Sequence, residues 1–413
     1  MTTIEAAARP AWRDLKVMSL IGTGHFISHF YILLLPPLFP LLKGEFGVGY
    51  VELGFALAVL NGTTGLTQAP VGFLVDRFGA RGILIAGLTL FSLGIGLVGL
   101  WPSYPVLLLL MVLAGLGNSV FHPADYAILS AAVDSRRMGR AFSIHTFGGF
   151  AGFALAPPVI VGLTALVGWQ IAVLLAGAAG LVVAALMLLS GDALRADVEA
   201  RHARAAGGDA QDAGGWRLLL SLPILMALLF FVMLAVSQGG YMTFGVAAIE
   251  ALYAIGLAAA TVPLTAYLTV SAIGVLIGGW VADRTRRHEQ VVGGCFVMIA
   301  LFAAAVPLLT PPLALVTVLF ACAGLFSGMV APSRDMMVRA VTPPGASGKV
   351  FGFVTTGFNI GGILGPLLFG LLLDLGDPAH LFYAIAALSL LTLVVIYATA
   401  RSAGGGAPAV AGR

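Results

Sequence analysis

Charged residues are scarce in this chain. Only 9% of its 413 residues are Asp, Glu, Lys or Arg, whereas 60% are hydrophobic. Soluble domains carry about 25% charged residues, so a soluble fold of this size would have too little polar surface for water. The formal net charge of +3 is also too small to indicate a protein that binds nucleic acid. The composition therefore predicts a protein whose main solvent is lipid.

Cysteine is also nearly absent. Cys295 and Cys322 lie within apolar runs, which excludes a disulfide framework and a cysteine metal site. The sequence lacks a phosphate-binding Gly-Lys loop, a metal-ligand spacing and a nucleophile elbow. We therefore expect no enzyme, no ATP-driven pump and no resident metal or cofactor.

Long apolar segments fill most of the chain. A helix needs about 20 such residues to cross the hydrocarbon core of a membrane, and runs such as Ile83–Leu100 lack the alternation of a membrane β-strand. The polar start of the chain does not resemble a cleavable signal peptide. The sequence predicts an all-α polytopic membrane protein with twelve transmembrane helices, covering residues 17–42, 51–75, 82–101, 105–132, 140–167, 170–190, 218–247, 257–282, 291–309, 312–338, 349–373 and 379–400.

The two halves of the sequence repeat one another. The pair Asp76-Arg77 closes one apolar segment and recurs as Asp283-Arg284, an offset of 283 − 76 = 207 residues. Each pair comes four residues after a glycine. Because six spans per half is an even number, both halves begin on the same side of the membrane and are parallel repeats. We predict a six-helix bundle over 1–190, a cytoplasmic linker over 191–217 and a second six-helix bundle over 218–413.

Lys and Arg fall mainly on one side of the predicted topology. Of the 21 basic residues, 19 lie at the termini or in the even-numbered turns, while Lys43 lies on the opposite side and Arg334 lies within a span. Positive residues are retained on the cytoplasmic side. Both termini and the linker are therefore predicted to be cytoplasmic, in a multi-pass protein of a bacterial-type inner membrane.

The segment between the second and third spans resembles the signature of the major facilitator superfamily. It reads Gly72-x3-Asp76-Arg77-x-Gly79-x-Arg81, and a degenerate copy stands at the equivalent place of the second half. A shorter likeness is to the fosmidomycin-resistance type of efflux permease, through Phe121-His122-Pro123, Arg140 and Gly148-Gly149. The resemblance implies a secondary transporter that works by alternating access, and export of its solute.

The chain also departs from the drug-antiporter pattern. Met111 stands in the fourth span where such proteins usually carry an arginine, so coupling to protons through that arginine is excluded. The motif of the fifth span has alanine in place of one glycine, at Ala156.

The repeated charged residues predict a gate on the cytoplasmic side. In this interpretation Asp76 caps the N-terminus of a helix in the other half and pairs with arginine, so that the cytoplasmic side is closed while the cavity faces out. The alternative is ordinary positive-inside decoration, which explains the arginines but not the repeated aspartate. The predicted gating residues are Asp76, Arg77, Arg81, Asp283, Arg284 and Arg287.

Ionisable residues inside spans are candidates for the site, because they are costly to place in a membrane. His25 and His29 are one helical turn apart, as are His122 and Asp125, so each pair shares a face. His145 on the fifth span lies at a similar depth. Together these groups can relay a proton. Alternatively, each histidine is neutral and its hydrogen bonds only hold helices together.

Arg334 lies in the tenth span next to Asp335, and we expect the two side chains to point apart and not to neutralise each other. Arg334 either reaches Asp125 or extends to the cytoplasmic headgroups. Asn118 and Asn359 are further candidates for the cavity wall, with helix packing as the alternative.

The predicted function is secondary transport of a small organic solute, with proton-coupled efflux as the first hypothesis. Uptake of a small carboxylate or other metabolite with protons is the second, and a sensor on the same fold that transports nothing is the third. The predicted partners are the solute, protons and the lipid bilayer. One chain already contains both halves of a pore, which is compatible with a monomer.

Overall fold

The computed structural model describes residues 11–190, 194, 215–343 and 346–404. Within these ranges the regular structure is entirely helical. Most of the predicted linker, together with both chain ends, lies outside the described residues.

The first six predicted spans form eight helices, because the first and fourth spans are interrupted. The helices are α1 (Ala11–Ile32), α2 (Phe39–Phe46), α3 (Tyr50–Phe78), α4 (Ala80–Gly96), α5 (Tyr104–Asn118), α6 (Phe121–Ala132), α7 (Met138–Val167) and α8 (Trp169–Leu189). Between α1 and α2 the chain forms a 3₁₀ turn at Pro36–Leu38, where the prolines lack the N–H group that a continuous α-helix would need. Pro123 lies in the first turn of α6, where its missing N–H breaks no helical hydrogen bond.

The second half contains one short helix and six long ones. They are α9 (Gly215–Leu219), α10 (Leu222–Tyr253), α11 (Leu257–Ala282), α12 (His288–Leu309), α13 (Leu313–Ala340), α14 (Ser347–Asp374) and α15 (Ala379–Gly404). The predicted span 257–282 coincides with α11, and the other predicted spans of this half overlap α10 and α12 to α15.

Eleven segments among the described residues are long and apolar enough to cross a membrane. The second predicted span is not among them, although α3 is a continuous helix of 29 residues. The middle of α3 contains the polar residues Asn61, Thr63, Thr64, Thr67 and Gln68, which lower its mean hydropathy. With α3 included, the chain has the twelve predicted spans in two six-helix repeats.

Contacts divide the chain into two compact units. The first unit contains Met1–Leu35 and Thr63–Gly208, and the second contains Pro36–Gly62 and Asp209–Arg413. The second unit therefore includes α2 and the first part of α3. The predicted division at 190 and 218 concerns the sequence repeats and stays a prediction.

Glycines on α7 allow α1 to lie close to it in the first unit. A Cβ atom on Gly148 would stand 2.6 Å from the carbonyl oxygen of Gly22, and one on Gly152 would collide with the carbonyl oxygen of Phe26. The two backbones thus approach without an intervening side chain, as is common between membrane helices. This contact brings the histidines of α1 next to the histidine of α7.

The second unit uses the same kind of packing between α11 and α13. A Cβ atom on Gly324 would collide with the carbonyl oxygen of Tyr267, and one on Gly328 with that of Ser271. Buried aromatic rings, among them Phe230, Phe231 and Phe296, fill the space between other helices of this unit.

Candidate functional site

Asp125 is the centre of the polar cluster in the first unit. Its side chain lies on α6 and is completely buried. The Nε2 atom of His145, on α7, is 3.0 Å from Oδ2 of Asp125 and forms a hydrogen bond with it. The Nδ1 atom of His25, on α1, is 3.4 Å from the same oxygen. Residues from three helices therefore converge on one carboxylate oxygen.

The imidazole rings of this cluster are in contact with each other. His25 and His145 are stacked, with ring centroids 3.6 Å apart and an angle of 23° between the planes. The ring of His29 is 4.4 Å from that of His25, and the ring of His122 is 5.6 Å from it. Two imidazolium charges at the stacking distance would repel strongly in a buried site, so His25 and His145 cannot readily be charged together.

A cavity of about 190 Å³ opens beside the cluster within the first unit. One part of its wall is polar and the other is aromatic. The wall consists of His25, His29, His122, Tyr126, His145, Thr146, Phe150 and Phe153. Neither Lys nor Arg is among these residues, so a solute or ion in the cavity meets imidazoles, hydroxyls and rings.

Gly149 provides the space for two of the histidines. A Cβ atom at this position would lie 3.0 Å from Cε1 of His29 and 3.1 Å from Nε2 of His25. Any side chain on Gly149 would therefore press on both rings. The glycine faces the site because it is one helical turn beyond His145 on α7.

The structure brings together the five ionisable residues that the sequence singled out inside the spans of the first half. His25 and His29 lie on one face of α1, while His122 and Asp125 extend from α6 towards them. Their role in transport stays a prediction. Sequence reasoning named Gly149 only as part of a motif, and it missed Tyr126, Phe150 and Phe153. The positional signal was that Gly149 and Phe153 follow His145 at intervals of four residues.

Asn118 and Asn359 are not part of this cluster. The side-chain amide of Asn118 donates to Oγ1 of Thr64, at 3.3 Å, and that hydroxyl in turn donates to the carbonyl of Gly115, at 3.1 Å. These bonds connect α3 with α5. They are the helix-packing contacts that the sequence analysis gave as the alternative to a place in the cavity wall. Asn359 is half-buried on α14, in the second unit.

The expectation that Arg334 and Asp335 point apart is wrong. Nε of Arg334 donates to Oδ1 of Asp335 at 2.8 Å, and the guanidinium group also lies 4.7 Å from the ring centre of Phe231 and 5.3 Å from that of Phe358. The long arginine side chain folds back along α13, and the two rings hold it there. Arg334 is thus already paired within the second unit.

The predicted gating residues lie at helix ends. Asp76 and Arg77 are exposed in the last turn of α3, and Asp283 and Arg284 are exposed directly after α11. Each of these pairs thus ends a long helix at equivalent points of the two repeats.

Two of the predicted gating arginines donate to backbone carbonyl groups. Arg81 donates to the carbonyl of Leu188 at 2.6 Å, and Arg284 donates to that of Trp280 at 3.2 Å. Arg287 precedes the first residue of α12. The role of these residues in a gate stays a prediction.

Comparison with known proteins agrees with this architecture. The chain is 26% identical over 406 residues to the fosmidomycin resistance protein of Escherichia coli (strain K12), covering 95% of each chain. It is 28% identical over 371 residues to the multidrug resistance protein MdtH of Aeromonas hydrophila, covering 84% of this chain and 87% of the other. The fold is similar to the crystal structure of a bacterial homolog of the human lysosomal transporter Spinster, with a TM-score of 0.76, 15% identity and coverage of 94% and 96%.

A family model matches most of the chain in two overlapping segments. It matches residues 21–262 and again residues 230–411, in agreement with the repeat seen in the sequence. The family and the fold are those of membrane transporters rather than enzymes. This chain is therefore a multi-pass membrane protein that belongs to the Major Facilitator Superfamily.

Proposed function

We propose that this chain exports a small organic solute across the inner membrane in exchange for protons. The observation that supports the proposal most directly is the buried carboxylate of Asp125, in contact with two imidazoles at the edge of a cavity. A carboxylate within a membrane span is costly to maintain and usually belongs to a substrate or proton pathway.

The cluster has the chemistry to couple a proton to a solute. A proton can reside on Asp125 or on one of the imidazoles that contact it, and the short distance between His25 and His145 disfavours two charges at once. A solute in the cavity touches the same histidines. Binding of the solute and binding of a proton therefore influence each other, which is the requirement for coupled transport.

We favour export as the direction of transport because of the names of two similar proteins. The fosmidomycin resistance protein and the multidrug resistance protein MdtH both carry names that indicate resistance to toxic compounds, and both match most of this chain. The rival is uptake of a small carboxylate together with protons. In this rival, the anion would replace Asp335 as the partner of Arg334, whose guanidinium group lies against two aromatic rings.

Everted membrane vesicles test both direction and coupling. A thermal-shift screen of the purified protein against metabolites and antibiotics at two pH values first identifies a solute, since ligands stabilise the folded state. The vesicle lumen, which corresponds to the cell exterior, is then acidified. An exchanger accumulates the solute in the lumen while protons leave, whereas a symporter moves the solute out with the protons.

The variant Asp125→Asn tests the site itself. Asparagine keeps the size of the side chain but cannot ionise, so we expect loss of accumulation driven by the pH gradient, while exchange of solute across the membrane continues. The control is Glu289→Gln, the same chemical change in the first turn of α12, which should leave accumulation intact. An unchanged response to pH in Asp125→Asn would refute coupling at this site.

A further inference from the structure

We infer that His25, Asp125 and His145 form a binding site for one divalent transition-metal ion, of which zinc is the best match. The inference rests on the geometry of the three side chains. It does not depend on the direction of transport or on the identity of the solute.

The carboxylate oxygen of Asp125 lies at suitable separations from both imidazole nitrogens. Nδ1 of His25, Oδ2 of Asp125 and Nε2 of His145 all lie within 4.8 Å of one another. The two nitrogens are 3.4 Å and 3.0 Å from the carboxylate oxygen. Ligand atoms about 2.0–2.1 Å from a tetrahedral zinc ion are separated by about 3.3 Å. Because the rings of His25 and His145 are stacked, they must tilt away from each other before both nitrogens point at one ion.

Several buried polar atoms of the cluster have no hydrogen-bond partner among the described residues. Nδ1 of His25, Nδ1 of His29 and Oδ1 of Asp125 are all buried and make no hydrogen bond. Leaving such atoms unpaired in a buried site is unfavourable. A cluster that only held helices together would be expected to pair these atoms. A metal ion would use the lone pair of His25 directly and neutralise the carboxylate.

The donor set favours a transition metal over calcium or magnesium. Two imidazoles and one carboxylate are the ligands of several catalytic zinc centres, whereas calcium and magnesium prefer oxygen ligands only. Three protein ligands leave one position of a tetrahedral ion free. This position is next to the cavity, where His29 and His122 are the nearest further ligands.

The cavity also suits a cation. Its wall contains no Lys or Arg, and it includes the aromatic rings of Phe150 and Phe153. No single sequence spacing reveals this site, because the three ligands are 100 and 20 residues apart (125 − 25 and 145 − 125). Only the packing of α1 against α7 and α6 brings them together.

A bound metal ion would occupy the carboxylate that the proposed function uses. We therefore expect the loaded protein to be inhibited as a transporter. The two proposals nevertheless fail separately. If the wild-type chain binds no metal ion, its pH-driven transport can still be measured, and if its transport is not coupled to protons, its metal binding can still be measured.

Cobalt binding to the purified full chain in detergent tests the site. The affinity tag is removed first, since a histidine tag would itself bind the metal. We expect one Co²⁺ per chain with the strong visible absorption of four- or five-coordinate cobalt, and its displacement by Zn²⁺. The affinity should fall by at least about 10-fold in Asp125→Asn and in His145→Gln, since loss of even a group that only orients a ligand has that effect.

His380→Gln is the matched control. This histidine is exposed at the start of α15 and lies 4.0 Å from the carboxylate of Asp377, so it is a histidine near an acid outside the cluster. Its replacement should not change the affinity. Binding that is lost in His380→Gln and retained in the two cluster variants would overturn the inference.

A measurement on the wild-type protein covers the case in which a cluster variant does not fold. The X-ray absorption spectrum of the zinc-loaded chain should show two imidazole ligands and one carboxylate for each zinc ion, at about 2.0–2.2 Å. A spectrum with oxygen ligands alone, or no stoichiometric uptake of zinc, would refute the site.

Discussion

Asp125 illustrates how single residues specialise in this protein. Its carboxylate is buried, while His122, one turn earlier on α6, is exposed to the cavity. The same helix thus presents an enclosed acid and an accessible base. His145 contacts Asp125, and the ring of His25 contacts that of His122, so the two rings link the acid to the base. At this scale, we expect transport to depend on the positions of these rings.

Gly149 offers a direct test of that dependence. We expect Gly149→Ala to slow transport several-fold, because the added methyl group lies 3.0–3.1 Å from His29 and His25 and must displace both rings. The folded state should tolerate the change, since alanine favours a helix by about 1 kcal/mol over glycine. Transport rate and apparent melting temperature are measured side by side.

Gly162→Ala is the control for this substitution. It lies in the same helix α7, and a Cβ atom there meets nothing within 4 Å. It gains the same helix propensity without touching the site. If both variants transport at the wild-type rate, the histidine positions do not limit transport.

The start of α3 is stabilised by a residue from a distant part of the chain. Within the second unit, the carboxylate of Asp374 at the end of α14 accepts hydrogen bonds from the backbone N–H groups of Tyr50, at 3.0 Å, and Val51, at 2.8 Å. Lys43 donates to the same carboxylate at 3.1 Å. A negative charge at a helix N-terminus is favourable, because the free N–H groups there carry partial positive charge.

Replacement of Asp374 should therefore destabilise this element. We expect Asp374→Ala to lower the stability of the second unit by about 1 kcal/mol, the usual effect of losing an N-terminal cap. A lower apparent melting temperature in detergent is the measurement. Glu45→Ala removes an exposed acid from α2, close in sequence to the same contact, and should have no such effect. Equal melting temperatures for both variants would show that the cap contributes nothing.

The whole molecule is organised by its internal repeat. Each six-helix repeat contains one long helix that ends in an Asp-Arg pair, α3 in the first and α11 in the second. In an alternating-access transporter the two repeats move relative to each other around the solute. The gate interpretation assigns to the Asp-Arg pairs at these helix ends the stabilisation of the state that is closed to the cytoplasm.

The gate interpretation predicts a clear phenotype for Asp76→Asn. We expect transport to be abolished, because the neutral side chain cannot hold the closed state, while membrane insertion and the gel-filtration profile stay normal. Arg286→Gln removes a charge at the corresponding turn of the second repeat without affecting the repeated aspartate, and should transport normally. Normal transport by Asp76→Asn would exclude a gating role for this residue.

The sequence by itself determined the membrane class, the twelve spans and the two repeats. Lipid cannot hydrogen-bond to backbone groups, so every apolar segment of sufficient length must become a helix. This is why the predicted span 257–282 agrees with α11 to the residue. The sequence also marked His25, His29, His122, Asp125 and His145 as unusual, because ionisable residues within spans are rare.

Only the tertiary structure decided which of these residues meet. His25 and His145 are 120 residues apart (145 − 25), and they stack because glycines let α1 lie against α7. The pairing of Arg334 with Asp335 likewise contradicts helix geometry taken alone, since a flexible side chain can turn back along its own helix. Hydropathy specifies the helices, whereas the shapes of their contacting surfaces specify the site.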